Sequence, residues 1–287
     1  MVSMYTLEYF NNYKTEYILS DDTLDSIKKL RNSINVTEKR NDRKMRKSVS
    51  DENWEMLRNF KATKIVNNEE AEKPSNDLRN ILNKLSKGNI DENVEKLKTI
   101  LTSQSNEELK KSVQLILQIS CSNNFYSELY SKMMKEIIKI TTIIKDELFY
   151  LIQNYINNLK NIEYVDPNVN YDDFCKYNKQ NDLQKSKLLF FMNLNKEEII
   201  QSNELDNIEK AIFDSIEKNI IIENKKNEVE ELIENLFVYY SNVSNQINKE
   251  ECMLKIKNIY ADKERALSLS SRGKFRCMDI IDIIDKL

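Results

Sequence analysis

The sequence lacks most of the side-chain patterns that catalysis requires. Its 287 residues include no His and two Gly. Without His there is no common general base, no usual partner for a nucleophilic Ser or Cys, and no preferred metal ligand. Two glycines cannot form a phosphate-binding loop or a dinucleotide fingerprint. Carboxylate chemistry stays open in principle, but no spacing singles out a pair among the 47 Asp and Glu. We therefore predict that the protein is not an enzyme and holds no metal or cofactor.

The cysteines and the hydropathy pattern bear on the compartment. The four cysteines lie at least 25 residues apart and form no C-x-x-C pair, which is typical of free thiols buried in a reducing compartment. No run of about 18 apolar residues is present. The first residues lack the basic region and apolar core of a secretory signal. These features predict a cytoplasmic protein without a membrane span. The cysteines are Cys121, Cys175, Cys252 and Cys277.

The composition favours an all-α fold. The chain has 2 Gly and 2 Pro, where average usage would give roughly twenty and about fourteen. Tight hairpin turns between strands need these residues, whereas helices can be joined by polar loops. The abundance of Asn, Ile, Lys and Glu is what an AT-rich genome produces. The chain is long enough for one large or two modest domains.

A helical hairpin is predicted at Asp77–Leu97. Apolar residues recur there at the three- and four-residue spacing of one helix face, first before and then after the polar segment Ser86–Asn89. Gly88 is expected to adopt the left-handed dihedral angles of a helix end. The apolar residues are Leu78, Ile81, Leu82 and Leu85 in the first helix, and Ile90, Val94, Leu97 and Leu101 in the second.

Similar patterns predict about ten helices between residues 74 and 287, or five pairs. Pro74 marks the first helix start, and Ser270 or Ser271 is a suitable cap for the last helix. Asn161–Lys179 is predicted to be a long loop. The other helical segments end near Cys121 or cover Ile137–Ile144, Leu148–Leu159, Lys187–Met192, Leu205–Ile216, Val229–Val243 and Cys252–Tyr260.

Residues 38–47 form a basic run within a stretch that has few apolar residues. Residues 1–50 carry a net charge of +3, so the remainder carries −6 of the total −3. A flexible basic run binds phosphates in a salt-dependent, sequence-independent way. It indicates either RNA contact or a solvated linker, and both interpretations stay open. Its basic residues are Lys39, Arg40, Arg43, Lys44, Arg46 and Lys47.

Three segments of the helical region resemble a known family in the same order. Arg79–Leu85, which reads RNILNKL, resembles the segment that opens the middle domain of eukaryotic translation initiation factor 4G. Asn124–Tyr130 resembles a later helix start whose aromatics pack between repeats in the core. Leu269–Ile281 resembles the closing helix, with Gly273 in place of an apolar residue. The resemblance implies a HEAT-type α-solenoid of about five antiparallel helix pairs over residues 74–287.

A second resemblance lies near the N-terminus. Tyr13, Ile18 and Leu19 match the Y-x-x-x-x-L-Φ motif by which such scaffolds bind the cap-binding protein, initiation factor 4E, with Ile18 where Leu is usual. Tyr17 stands where an aromatic is common. A helix capped by Asp21 or Asp22 is predicted to follow. Its apolar stripe either makes a second contact with the cap-binding protein or docks on the HEAT domain; these residues are Leu24, Ile27, Leu30 and Ile34.

The resemblance also implies contacts with a DEAD-box RNA helicase. Asn53 and Trp54 resemble a segment that anchors the helicase in the family, although Trp54 can equally fix the linker to the first helices. Asn83 and Lys84 belong to the opening motif. Near the other end of the platform, three basic residues either contact the helicase or cap and solvate the last helix: Arg272, Lys274 and Arg276.

Together these features predict a flexible tail over 1–50, a linker over 51–73 and a HEAT domain over 74–287. The implied function is a monomeric translation-initiation scaffold that binds the cap-binding protein, the helicase and mRNA in the cytoplasm. The same domain also occurs in proteins of mRNA decay, deadenylation and nuclear cap binding. A competitor that sequesters host initiation factors is a further alternative.

Overall fold

The structure is a computed structural model, and it describes residues 20–33, 73–243, 247–261 and 264–287. The chain divides into two units, residues 1–54 and 55–287. Within the described parts there are eleven α-helices and no strands, so the predicted all-α fold is confirmed. None of the described helices is long and apolar enough to cross a membrane.

The first unit contains one described helix, α1, at Asp21–Ser33. The prediction that Asp21 or Asp22 caps it is wrong. The carbonyl of Ser20 accepts the first helical hydrogen bonds, from the amides of Thr23 and Leu24, and both aspartates lie within the first turn. Carboxylates are favourable there because they face the positive end of the helix dipole.

The second unit contains ten described helices, as predicted. They are α2 at Lys73–Asn83, α3 at Ile90–Thr102, α4 at Asn106–Ser122, α5 at Ser127–Ile137, α6 at Ile143–Lys160, α7 at Tyr171–Lys196, α8 at Ser202–Ile220, α9 at Lys226–Asn242, α10 at Lys249–Ala261 and α11 at Ser271–Lys286. A short 3₁₀ turn, Asn124–Tyr126, precedes α5.

The helices of the second unit stack in two layers. One layer runs α2, α4, α6, α8 and the other runs α3, α5, α7, α9, α11, each helix packing on the next of its layer. This alternation produces a solenoid-like stack. A single apolar core runs through it from Leu78 to Ile284. The helix α10 departs from the pattern, since within the described residues its broad contact is with α11 and not with α8.

The opening hairpin forms as predicted, but its turn is not made by glycine. Leu78, Leu82 and Leu85 are buried against the core. Gly88 has no positive φ, so the expected left-handed conformation is wrong. Instead the side chain of Asn89 closes the turn: its Oδ1 accepts from the Ser86 amide at 2.7 Å and its Nδ2 donates to the Lys84 carbonyl at 2.8 Å.

Two helix boundaries differ from the prediction. The helix expected at Ile137–Ile144 is a turn, where Thr141 Oγ1 accepts from the Ile143 amide at 3.2 Å. The loop expected at Asn161–Lys179 ends at residue 170, because Asn170 caps α7 by accepting from the Asp173 amide at 3.1 Å. An Asn side chain satisfies a free amide at a helix start and so favours an early beginning.

The segment after α4 belongs to the core except near its start. Tyr130 is fully buried, and its hydroxyl donates to the Leu82 carbonyl at 3.3 Å. Phe125, which was expected in the core, is 40% exposed on the 3₁₀ turn. Phe125 therefore takes no part in the core contact, whereas Tyr126 packs against the core and Tyr130 bonds to α2.

Candidate partner-binding surfaces

Five of the predicted site residues fall within the described structure: Asn83, Lys84, Arg272, Lys274 and Arg276. The others lie outside the described residues, so their predicted roles stay predictions. These are Tyr13, Tyr17, Ile18 and Leu19 of the cap-protein motif, the basic residues Lys39, Arg40, Arg43, Lys44, Arg46 and Lys47, and the pair Asn53 and Trp54.

The first surface is the edge where α2 ends. Asn83 is the last residue of α2, and Lys84 follows it with an exposed side chain. Tyr130 binds the Leu82 carbonyl next to them, and Asn193 of α7 donates to Ser127 Oγ at 2.9 Å. These buried bonds fix the end of α2, the start of α5 and the end of α7 relative to one another.

This first edge is rich in lysine. Lys132 lies 2.6 Å from a Glu128 carboxylate oxygen, and together with Lys87 and Lys196 it holds the pKa of Glu128 below its usual range. Glu197 also acts on Lys132 and pairs with Lys135 at 3.1 Å, but the lysines of this edge still outnumber these two carboxylates. The edge is therefore suited to an acidic partner or to phosphates.

The second surface is the start of α11, and a buried glycine positions it. Ser270 caps the helix by accepting from the Gly273 amide at 3.0 Å, as predicted. A Cβ at Gly273 would lie 3.1 Å from Ile233 Cδ1 of α9. Glycine thus stands where two helices approach closely, which a larger side chain would obstruct.

Arg272 and Arg276 face a matching pair of carboxylates on α9. Arg276 Nε lies 3.0 Å from Glu234, and its guanidinium lies 4.2 Å from the centre of the Phe237 ring. Arg272 approaches Glu230 and Glu234 at 3.5 Å. Arg272 and Arg276 are four residues apart on α11, and Glu230 and Glu234 are four residues apart on α9. Each arginine therefore faces a carboxylate one helical turn from the next.

Because of these contacts, the three basic residues differ in how much of each side chain is free to contact a partner. Arg276 is largely occupied by Glu234 and Phe237 of α9. Arg272 keeps 68% of its side chain exposed. Lys274 lies 5.8 Å from the centre of the Tyr260 ring. Arg272 is accordingly the residue of this surface with the most room for a partner.

The two surfaces lie at opposite ends of the stack. α2 packs on α3 and α4, whereas α11 packs on α9 and α10. The helices α5 to α8 therefore separate Lys84 from Arg272. A partner that contacts both must be extended or must consist of two lobes.

A third surface, which no sequence motif indicates, is a cleft of about 1050 Å³ between α8 and α10. Tyr239 and Tyr240 of α9 lie at its base, and both are buried. The Tyr240 hydroxyl donates to Glu209 of α8. Burial, together with the Glu209 carboxylate, raises the pKa of Tyr240. The tyrosine therefore stays neutral and acts as a hydrogen-bond donor.

The thiols are unbonded, and three of the four are buried, in line with the prediction of free cysteines. Burial raises the pKa of Cys121 and of Cys277 to about 12 in each case. Cys175 is partly exposed on α7. Within the described residues, no group of three or more metal-ligating side chains comes together.

These environments predict ordered alkylation. At pH 8.5 a thiol of pKa about 12 is ionised in only about one molecule in three thousand, and burial also keeps the reagent from it. We expect iodoacetamide to modify Cys175 at least about a hundred times faster than Cys121 or Cys277, measured by peptide mass spectrometry. In urea all sites should react at similar rates. Equal rates in the native protein would contradict these environments.

No protein-family model matches the chain, and no curated protein matches it either.

Proposed function

We propose that this protein is a non-enzymatic translation-initiation scaffold that bridges a cap-binding protein of the initiation factor 4E type and a DEAD-box RNA helicase of the 4A type. One observation carries the proposal. Two of the segments that resemble initiation factor 4G, the opening hairpin and the closing helix, lie at the two ends of the stack, and each has an exposed basic residue, Lys84 and Arg272.

The spacing of these residues suits a two-lobed partner. A DEAD-box helicase works through two lobes that close on RNA and ATP, and a rigid stack that holds both lobes would keep them aligned between cycles. Lys84 would contact one lobe and Arg272 the other. By keeping the two lobes aligned, the scaffold would stimulate the ATPase cycle of the helicase without an active site of its own.

The remaining predicted segments supply the other contacts. Tyr13, Tyr17, Ile18 and Leu19 would bind the cap-binding protein as a short helix. Asn53 and Trp54 would anchor the helicase near the first helices. The basic run at residues 38–47 would contact mRNA through its phosphates.

The decisive test is the RNA-stimulated ATPase rate of a purified translation-type DEAD-box helicase, titrated with the full-length protein. We expect saturable stimulation. Trp54→Ala should raise the half-saturating concentration by about thirtyfold, since a buried Trp at an interface contributes about 2 kcal/mol or more. Lys84→Glu combined with Arg272→Glu should weaken stimulation as well.

The matched control is Lys179→Glu, which reverses an exposed charge on α7. It should leave stimulation unchanged, and circular dichroism should show that all variants keep their helix content. Absence of binding and stimulation would refute the helicase contact. The mRNA decay and deadenylation readings of the same fold would then be the ones to test.

A further inference from the structure

The cleft between α8 and α10 has the form of a trough with two helical walls. Its wall residues on α8 recur every three or four positions from Asp206 to Ile221, and those of the second wall do the same from Ile247 to Ala261. At 1.5 Å per residue, each wall is about 20 Å long. The trough therefore has the length of a helix of about fourteen residues.

The cleft lies where the layer pattern is interrupted. Each earlier helix of this layer packs on the next one, α2 on α4, α4 on α6 and α6 on α8. Among the described residues, α8 and α10 make no such broad contact, and the cleft lies between them. The cleft therefore takes the place of the helix-to-helix contact that the layer pattern would have at this point.

The floor of the cleft is formed mainly by buried apolar and aromatic side chains, Ile216 of α8, Tyr239 and Tyr240 of α9 and Ile259 of α10. Phe213 of α8 is half-buried and offers more of its surface to the cleft. Ile221, at the end of α8, also lines the cleft and is 44% exposed. An apolar floor bounded by polar walls is the arrangement that binds the apolar face of an amphipathic helix.

The walls carry an excess of negative charge. Five carboxylates line the cleft against three cations. Lys255 is already paired with Glu251 at 2.9 Å, and Glu209 accepts from the Tyr240 hydroxyl. The exposed carboxylates of α8 are therefore available to a basic partner; they are Asp206, Asp214 and Glu217.

We propose that this cleft is the docking site for a basic amphipathic helix of a partner protein. The partner helix would place apolar residues, spaced three and four apart, on the aromatic floor, and Lys or Arg beside Asp214 and Glu217. This site is separate from the Lys84 and Arg272 surfaces. It does not depend on the proposed scaffold function, because its evidence is the shape and charge of the cleft alone.

The test begins with an unbiased selection of peptides. A phage-displayed library of sixteen-residue peptides is selected on the full-length protein and counter-selected on the variant Asp214→Lys with Glu217→Lys. We expect enrichment of sequences that combine Lys or Arg with apolar residues at helical spacing. No enrichment, or enrichment of acidic sequences, would overturn the proposal.

The most enriched peptide is then synthesised with a fluorescein label, and its binding is measured by fluorescence anisotropy. Asp214→Lys with Glu217→Lys should weaken binding by about tenfold or more, because like charges then face each other across the groove. Ile221→Ser should weaken it severalfold through lost apolar contact. Asp146→Lys with Glu163→Lys changes the net charge equally outside the cleft and should have little effect.

Two outcomes would refute this assignment. Equal weakening by the cleft and control variants would mean that the peptide binds through net charge alone. Self-association in sedimentation velocity that Asp214→Lys with Glu217→Lys abolishes would identify a second copy of the chain as the occupant. In either case the scaffold proposal would still be tested independently, by the ATPase titration.

Discussion

Tyr155→Ala is expected to lower the free energy of unfolding by about 4 kcal/mol, within the range for removing a large buried aromatic side chain. Tyr155 of α6 is fully buried, and its ring meets the Phe191 ring of α7 edge-on at 5.5 Å. Its hydroxyl donates to Asn235 Oδ1 of α9 at 2.9 Å. One side chain thus connects three helices across both layers.

The measurement is equilibrium urea unfolding followed by circular dichroism at 222 nm. Tyr155→Phe keeps the ring but leaves Asn235 Oδ1 without its donor, and it should cost about 2 kcal/mol. Tyr150→Ala removes a tyrosine from the same helix that is 59% exposed, so it should stay within about 0.5 kcal/mol of the wild type. A Tyr155→Ala cost no larger than that of Tyr150→Ala would contradict the observed packing.

Tyr13→Ala with Leu19→Ala is expected to abolish binding to a cap-binding protein of the initiation factor 4E type. In the proposed scaffold these residues are the anchors of the cap-protein motif, and losing two interface anchors removes most of the binding free energy. Binding of the helicase should be unaffected, since its proposed contacts lie elsewhere. Isothermal titration calorimetry with each purified partner measures both interactions.

The matched control is Tyr5→Ala with Leu7→Ala, which removes the same residue types outside the motif. It should bind both partners like the wild type. A motif variant that loses the helicase as well would refute the modular arrangement. One that keeps the cap-binding protein would show that the match at Tyr13 is accidental.

Much of the fold could be predicted because most of the described helices carry their own apolar stripe. The Leu78–Leu85 stripe and the Ser270 cap are local features, and both occur as expected. The boundaries that were missed depend on side-chain capping. Asn170 starts α7 early, and the β-branched run around Thr141 forms a turn, although its apolar residues fit a helix equally well.

The surfaces could be predicted only in part. The basic residues of α11 were identified, but their pairing with Glu230 and Glu234 depends on the register of two helices that are about forty residues apart. In the sequence Gly273 is noticeable only as a departure from the resembling motif, whereas in the fold it permits close packing against Ile233. The cleft depends on the relative positions of α8 and α10, which no local pattern in either helix encodes.

The two-layer order of contacts bears on how the chain acquires its structure during synthesis. Among the described helices, broad contacts join neighbours at most three helices apart along the chain. Such a topology closes only short loops, which favours rapid folding. Each helix can pack on the helices before it soon after it leaves the ribosome. Little apolar surface therefore stays exposed until the C-terminal residues have been made. α11 is the exception: α9 keeps one face uncovered until this last helix has been made.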